Sequence, residues 1–494
     1  MLFPLVLCPV RSRADYTTTV DPSKTWGAWE GWGASLAWWA NAFGDRDDLA
    51  DILYTDRQTP LLGEKLPGLN LNVVRYNAGG SGRNAIGEGS DNRMVASPSI
   101  PQYKQIQGYW LDWTSADPGS ASWDWSADAR QRAMLLKAKA RGANLFELFS
   151  NSPMWWMLYN HNPSGTDDKI LDTLKIWENA KHPIGVANNL QDWNDQNHAV
   201  YLATVARYAG DHWGIRFDSV EPFNEPTGSD GRYFWKASGS QEGCNFDHAL
   251  QKKVIGYLRG ELDKRGLRSV RVAASDENTY SSAIATWRSL GDKVRSLVGR
   301  LNVHGYEGQG GRRDVLFKEA AGRRIWNSEY GDGDGTGMTM AGNLNLDLRW
   351  LHPTAWNYWQ PLDASGGWGF IKFDDKDLTI EKVNAKYFVM AQFTRHIAPG
   401  MEIIDGGEGN TVAAYDARGR KLVLVTTNYG TGQWINYDLS RFSHVGGPVT
   451  RWATVTGGGD RYAQHQDTEL HETKFWSWFD KNTVQTFEVQ DVIP

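Results

Sequence analysis

Short apolar runs ending in polar or aromatic residues alternate along this chain with stretches whose apolar residues recur every three or four positions. Eight of the runs have strand-like composition: Gly31–Asn41, Leu71–Gly80, Asn144–Met157, Phe217–Pro226, Ser269–Asn278, Arg300–Glu307, Arg324–Asp332 and Thr354–Asp363. Between them lie helix-period segments such as Ala127–Arg141, His198–His212 and Asp247–Arg265. In the last, Leu250, Val254, Tyr257, Leu258 and Leu262 share one face. Gly142 and Gly266 stand where C-capping glycines belong. Strands alternating with helices predict a parallel sheet joined by crossovers. Eight such units over about 330 residues predict a closed (β/α)8 TIM barrel with long loops. An open doubly wound sheet needs a Gly-rich phosphate turn after its first strand, and Gly31-Trp32-Gly33 leads into a strand instead.

After a helical stretch at Glu381–His396 the pattern changes. Thr411–Tyr415, Lys421–Asn428, Gln433–Leu439, Val449–Val455 and Val484–Val489 are short alternating runs separated by Gly, Asp and Asn, which predicts an all-β sandwich over residues 395–494. Tyr16–Val20 is also β-rich, so residues 15–394 are expected to form the catalytic barrel with their first strand joining the sandwich. Residues 1–14 resemble a leader: Leu2–Val10 is apolar and runs into Arg11-Ser12-Arg13-Ala14. The segment lacks a positive start and is interrupted by Pro4 and Pro9, as a truncated leader or a cloning remnant would be. Export from the cell is the expectation.

Composition narrows the partners. With 52 Lys plus Arg against 58 Asp plus Glu, the net charge is −6, which argues against nucleic acid or an anionic membrane as the main partner. No run approaches the ~20 apolar residues of a membrane span. Only Cys8 and Cys244 are present, too few for a disulfide framework or a thiolate metal site. Tryptophan is the outlier at 25 residues, more than a core requires, so part of that set is expected on a binding surface.

A barrel of this kind places its site at the C-terminal ends of its strands. Those ends carry Trp38, Trp39, Arg75, Asn77, Asn151, Trp155, Trp156, Asn224, Glu225, Glu277, His304, Tyr306, Glu329 and Trp359. Glu225 and Glu329 lie 104 positions apart, ending the fourth and seventh strands, so they are expected to face each other across the barrel mouth. Two carboxyls across a cleft suit glycosidic-bond hydrolysis, in which one gives a proton to the leaving oxygen while the other attacks or stabilises the anomeric carbon. His304 has no second His or Cys at metal spacing and reads as a hydrogen-bonding barrel residue. There is no GxxxxGK[ST] and no HExxH, so neither a metal nor a cofactor is expected. Read as strand residues, the pairs Trp38-Trp39 and Trp155-Trp156 should each send one indole into the barrel mouth, where it can stack on a sugar ring.

On these residues the chain resembles glycoside hydrolase family 30. The motifs are Gly31-Trp32-Gly33-Ala34-Ser35, Arg75-Tyr76-Asn77, Ser152-Pro153-Met154-Trp155, Asn224-Glu225-Pro226, His304-Gly305-Tyr306, Ser328-Glu329-Tyr330 and Trp359. Ala37-Trp38-Trp39-Ala40 and Asn151–Met157 are most similar to the endo-β-1,6-galactanase branch. The resemblance implies that Glu225 is the general acid/base and Glu329 the nucleophile, with Asn224 on the sugar 2-hydroxyl. It also implies that Arg75 and Tyr306 hydrogen-bond Glu329 and that Trp359 floors the cleavage subsite. The function expected is a secreted, monomeric, retaining endo-β-glycosidase acting on β-1,6-galactan side chains of arabinogalactan. The alternatives are the same chemistry on β-1,6-glucan, xylan or glucosylceramide, and a carbohydrate-binding protein on an inactive barrel.

Overall fold

Each of the eight apolar runs falls on one parallel strand in the computed structural model, which describes residues 15–87, 92–166, 188–228 and 235–494. The leader-like segment 1–14 lies outside these residues. The strands are β1 (Gly31–Ser35), β2 (Val73–Asn77), β3 (Leu145–Phe149), β4 (Ser219–Glu221), β5 (Arg271–Glu277), β6 (Val298–His304), β7 (Ile325–Tyr330) and β8 (Ala355–Tyr358). Consecutive strands pair, and β8 closes the barrel on β1 with Ala355 opposite Gly31. At Gly33 a Cβ would stand 2.1 Å from Asn357 Oδ1 and 2.6 Å from Val73 Cβ, so only glycine lets the first strand pack there.

The barrel interior is built on paired charge as much as on apolar packing. Glu147 accepts from Arg75 Nε at 2.9 Å, from Asn302 Nδ2 at 3.0 Å, from Ser219 Oγ at 2.8 Å and from Arg300. All of these groups are buried. Every lone pair of Glu147 is thereby used, the condition under which a buried ion cluster is tolerated. The cluster also fixes Arg75, whose other nitrogens point up toward the mouth.

Outside the strands, Ala129–Ala140, Asp195–Tyr208 and His248–Lys264 form helices. Asp247 caps the last of these by accepting from the Leu250 amide at 2.7 Å. Leu250, Val254, Leu258 and Leu262 are buried as their spacing predicts, but Tyr257 is exposed. Glu261 is buried instead, because Lys264 and Arg265 pair with it at 2.6 and 2.5 Å. Two predicted elements are shorter than their patterns. The run Gly31–Asn41 leaves strand at Ser35 and becomes the helix Ala37–Phe43. The expected helix Glu381–His396 begins only at Ala385, because Thr379–Val383 pairs antiparallel with Ile371–Asp374, with Lys372 on Glu381 at 2.7 Å.

The barrel unit spans Glu30–Arg395, and a second unit joins the described residues up to Trp29 to His396–Pro494. In that second unit one sheet orders Tyr16–Thr19, Gln433–Asp438 and Lys474–Phe479. A seven-stranded sheet runs from Asp21–Ala28 at one edge through Glu402–Asp405, Thr411–Asp416, Lys421–Asn428, Thr483–Val489 and Val449–Val455 to Ala463–His465. Val20, Leu422, Leu424, Tyr437, Phe475 and Phe487 are among the residues of its apolar core. The N-terminal segment thus supplies two strands, where the sequence pattern predicts one.

Candidate active site

Glu225 follows β4 and Glu329 lies within β7. The backbone at Glu225 is left-handed (φ 49°), a conformation that costs a non-glycine residue about 1–3 kcal/mol unless its surroundings fix it. They do: the Glu225 amide donates to the Asp276 carbonyl at 2.8 Å, and Trp235 Nε1 donates to the carbonyls of Asn224 and Glu225 at 3.2 and 3.1 Å. The Glu225 side chain accepts from Asn278 Nδ2 at 2.7 Å and from His304 Nδ1 at 3.1 Å, both on Oε1, and Oε2 has no hydrogen bond among the described residues. Glu329 is held on both oxygens. Tyr306 Oη donates to Oε1 at 2.9 Å and Arg75 Nη1 to Oε2 at 3.2 Å. One oxygen of each glutamate and a ring nitrogen of His304 lie within 4.8 Å of one another.

The charges around this pair are strongly coupled. Burial pushes Glu329 up to about 7, against the pull of His304 and Arg75 toward the ionised form. Burial lowers His304, but Glu329 and Asp276 overcome it and raise the imidazole to about 10, so it is a cation at neutral pH. Asp276, penalised by burial, is nevertheless drawn down to about 2, chiefly by Arg75. The trio Glu225, His304 and Glu329 is close enough to hold a metal ion, but a metal there would first have to displace the proton of His304.

A cleft of about 540 Å³ opens over the two carboxylates. Asn224, Tyr306, Trp38 and Trp359 line it, together with Lys104, Trp235 and Trp368. Trp38 and Trp359 meet edge to face with ring centres 4.9 Å apart, and Lys104 Nζ sits 4.0 Å over the Trp38 ring. Trp38 Nε1 and Asn224 Oδ1, both buried, find no hydrogen-bond partner among the described residues.

Several expected site residues lie elsewhere. Trp39 is fully buried and donates to the Ser35 carbonyl at 2.9 Å, because the helix starting at Ala37 turns successive residues by about 100° instead of alternating them. Trp155 and Trp156 sit on a 3₁₀ turn and are buried; Trp156 packs edge-on against Trp110 at 5.1 Å and donates to its carbonyl. Glu277 faces outward from β5, accepting from Thr227 Oγ1 and Thr286 Oγ1, both at 2.6 Å. Asn77 and Asn151 are buried away from the cleft lining; Asn77 Oδ1 accepts from the Asn151 amide at 3.1 Å, and its Nδ2 donates to Glu242. The sequence pattern alone does not single out Asp276, Asn278, Trp235, Lys104 or Trp368. Strand parity points to one of them: if Glu277 faces outward, Asp276 faces in.

This fold and site are those of a glycosidase family. Residues 10–297, more than half of the chain, match the model of O-glycosyl hydrolase family 30; the chain belongs to that family and is an O-glycosyl hydrolase. It is 52% identical over 494 residues to an endo-β-1,6-galactanase of Hypocrea rufa, covering 99% of this chain and 98% of that one. Among solved structures, it resembles a conserved exported protein from Bacteroides fragilis (TM-score 0.75, 17% identity, 96% of this chain and 100% of that one). It also resembles the catalytic domain of the family 30 xylanase C of Talaromyces cellulolyticus (TM-score 0.66, 19% identity, 97% and 100%).

Proposed function

We propose that this enzyme is a secreted, retaining endo-β-1,6-galactanase acting on the galactan side chains of arabinogalactan. The reading of the chemistry rests on the approach of Glu225 and Glu329, oxygen to oxygen within 4.8 Å. Retaining enzymes keep their carboxyls ~5–5.5 Å apart, whereas inverting ones need ~6.5–9.5 Å to admit a water. The reading of the substrate rests on the 52% identity to the Hypocrea rufa galactanase.

Glu329, held on both oxygens by Arg75 and Tyr306 and favoured as the anion by the Arg75 charge, acts as the ionised nucleophile. Glu225, whose Oε2 has no hydrogen bond among the described residues, carries the proton to the glycosidic oxygen. The sugar ring rests on Trp359, Asn224 takes its 2-hydroxyl, and Glu329 attacks the anomeric carbon to form a glycosyl-enzyme. Glu225, now a base, draws a proton from the water that releases the product.

Digestion of β-1,6-galactan followed by proton NMR before mutarotation tests both parts. The β-anomer is expected first, with β-1,6-glucan attacked at least about tenfold more slowly because an unmatched 4-hydroxyl leaves a buried polar group unpaired. An α-anomer overturns the mechanism; faster attack on β-1,6-glucan or xylan overturns the substrate and leaves the mechanism standing.

A further inference from the structure

The β-sandwich unit carries an aromatic cleft that the reaction does not use. Its edge strand Lys474–Phe479 alternates strictly. Phe475, Ser477 and Phe479 face the core, while Trp476 and Trp478 are 37% and 42% exposed. Trp434, on the neighbouring strand, stands directly opposite Trp478 with ring centres 5.7 Å apart. These three indoles form part of the wall of a cleft of about 330 Å³.

The indoles are held in place. His471 stacks on Trp476 at 4.9 Å and 11°, and Trp478 Nε1 donates to Asp480 at 3.0 Å. Gln485 ties the strand down, accepting from Ser477 Oγ and donating to the Trp478 carbonyl, both at 2.8 Å. Apart from Ala453 and Val455, the rest of the lining is polar. It includes Arg451, paired with Asp467 through Nε at 2.9 Å, and Thr483, which is 1% exposed and whose hydroxyl has no hydrogen-bond partner among the described residues.

Outward positions of an edge strand ordinarily carry small or charged residues, since exposed apolar surface there invites aggregation. Flat apolar faces beside hydroxyl, carboxylate and guanidinium groups match the two surfaces of a sugar ring, one of C–H bonds and one of hydroxyls. Residues at i and i+2 of a strand stand ~7 Å apart, on the order of one ring of a chain. A cation-seeking polymer is poorly served here, because Arg451 is already neutralised by Asp467.

We propose that this cleft is a second glycan-binding site, which holds a neutral polysaccharide chain without cleaving it. Its ligand class rests on the galactan reading above, and the test separates the two. The full chain carrying Glu329→Gln, which leaves the polymer intact, is run in native gels containing β-1,6-galactan, β-1,6-glucan or xylan. The same chain with Trp476→Thr and Trp478→Thr, residues suited to exposed strand positions, runs beside it. The expected result is retardation by galactan with an apparent affinity at least about tenfold weaker in the double variant, as for the loss of aromatic anchors. In the background with Glu329 intact, the same two substitutions should leave hydrolysis of a short aryl β-1,6-galacto-oligosaccharide unchanged, which also shows the fold intact. Equal retardation of both proteins overturns the site, as does the absence of retardation by any of the three polymers. Tryptophan-dependent retardation by glucan or xylan alone keeps the site and overturns the galactan reading.

Discussion

Glu225 and Glu329 differ in what surrounds them, and the proposed division of acid/base and nucleophile follows that difference. Replacing Glu225 by Gln should lower kcat on galactan by about 10²–10⁴-fold, while an aryl glycoside whose leaving group needs no proton loses far less. Steady-state kinetics on the two substrates decides this, and equal losses would remove Glu225 from the acid role. Because burial raises Glu329, its ionised fraction falls as pH drops below about 7, and activity should fall with it. His304 lies 3.6 Å from Glu329 as a cation that favours ionisation. His304→Gln should therefore raise the folded pKa of Glu329 further and move the acid limb of kcat/KM to higher pH. A limb that stays put or moves down would show that the imidazole is neutral. A metal at the Glu225–His304–Glu329 trio would have to displace the His304 proton, and full activity after dialysis against EDTA is expected in an assay of released reducing sugar.

At the scale of elements, the eight strands are legible because buried parallel strands read as apolar runs bounded by polar ends. What the runs conceal is where strand gives way to turn. Trp38-Trp39 and Trp155-Trp156 look like strand pairs, yet each lies just past its strand, where period two no longer applies. Glu277 stands out as a carboxylate at a strand end, although parity with Asp276 assigns it to the outer face. The indole-bearing strand Lys474–Phe479 is hard to read because Ser477 and the flanking charges break up its apolar run. The family motifs lead to Arg75 and Tyr306, which do touch Glu329, but no spacing rule brings Lys104, at the end of a 3₁₀ turn, or Trp235 to the cleft.

The residue preceding the helix Ala129–Ala140 carries a prediction of its own. Burial pushes Asp128 up to about 8, with Tyr76 and Gln131 Nε2 donating to it, and burial likewise raises Glu242 to about 7. A carboxyl raised in the folded state stabilises the fold below its unfolded value, here 3.8 for Asp128, and loses that contribution as pH rises through about 8. The contribution of these two carboxyls to the melting temperature should accordingly fall between about pH 4 and pH 8. Asp128→Asn, which cannot ionise, should flatten that fall in scanning calorimetry. An unchanged slope would mean that Asp128 is already ionised in the native state.

For the molecule as a whole, the division at Trp29/Glu30 and Arg395/His396 makes the barrel continuous in sequence and the sandwich discontinuous. Deleting the residues up to Trp29 would strip Asp21–Ala28 from Glu402–Asp405, Tyr16–Thr19 from Gln433–Asp438, and the fully buried Val20 from the core. The melting transition of the sandwich should drop by at least about 10 °C, given ~4–8 °C for each kcal/mol in a unit of this size. A transition that does not move would show those strands to be dispensable.

The same pairing has a consequence in time. Tyr16 is opposite Ile435, so the first strand emerges from the ribosome 419 residues before its partner. At ~5–20 residues per second that interval is roughly 20–80 s, within which all of Glu30–Arg395 is synthesised. The barrel can complete its ring during translation, while Tyr16–Ala28 must stay unpaired for most of that interval. Closure of the sandwich is therefore the last event of synthesis, and a chain interrupted before Gln433 leaves an unpartnered strand at its leading end.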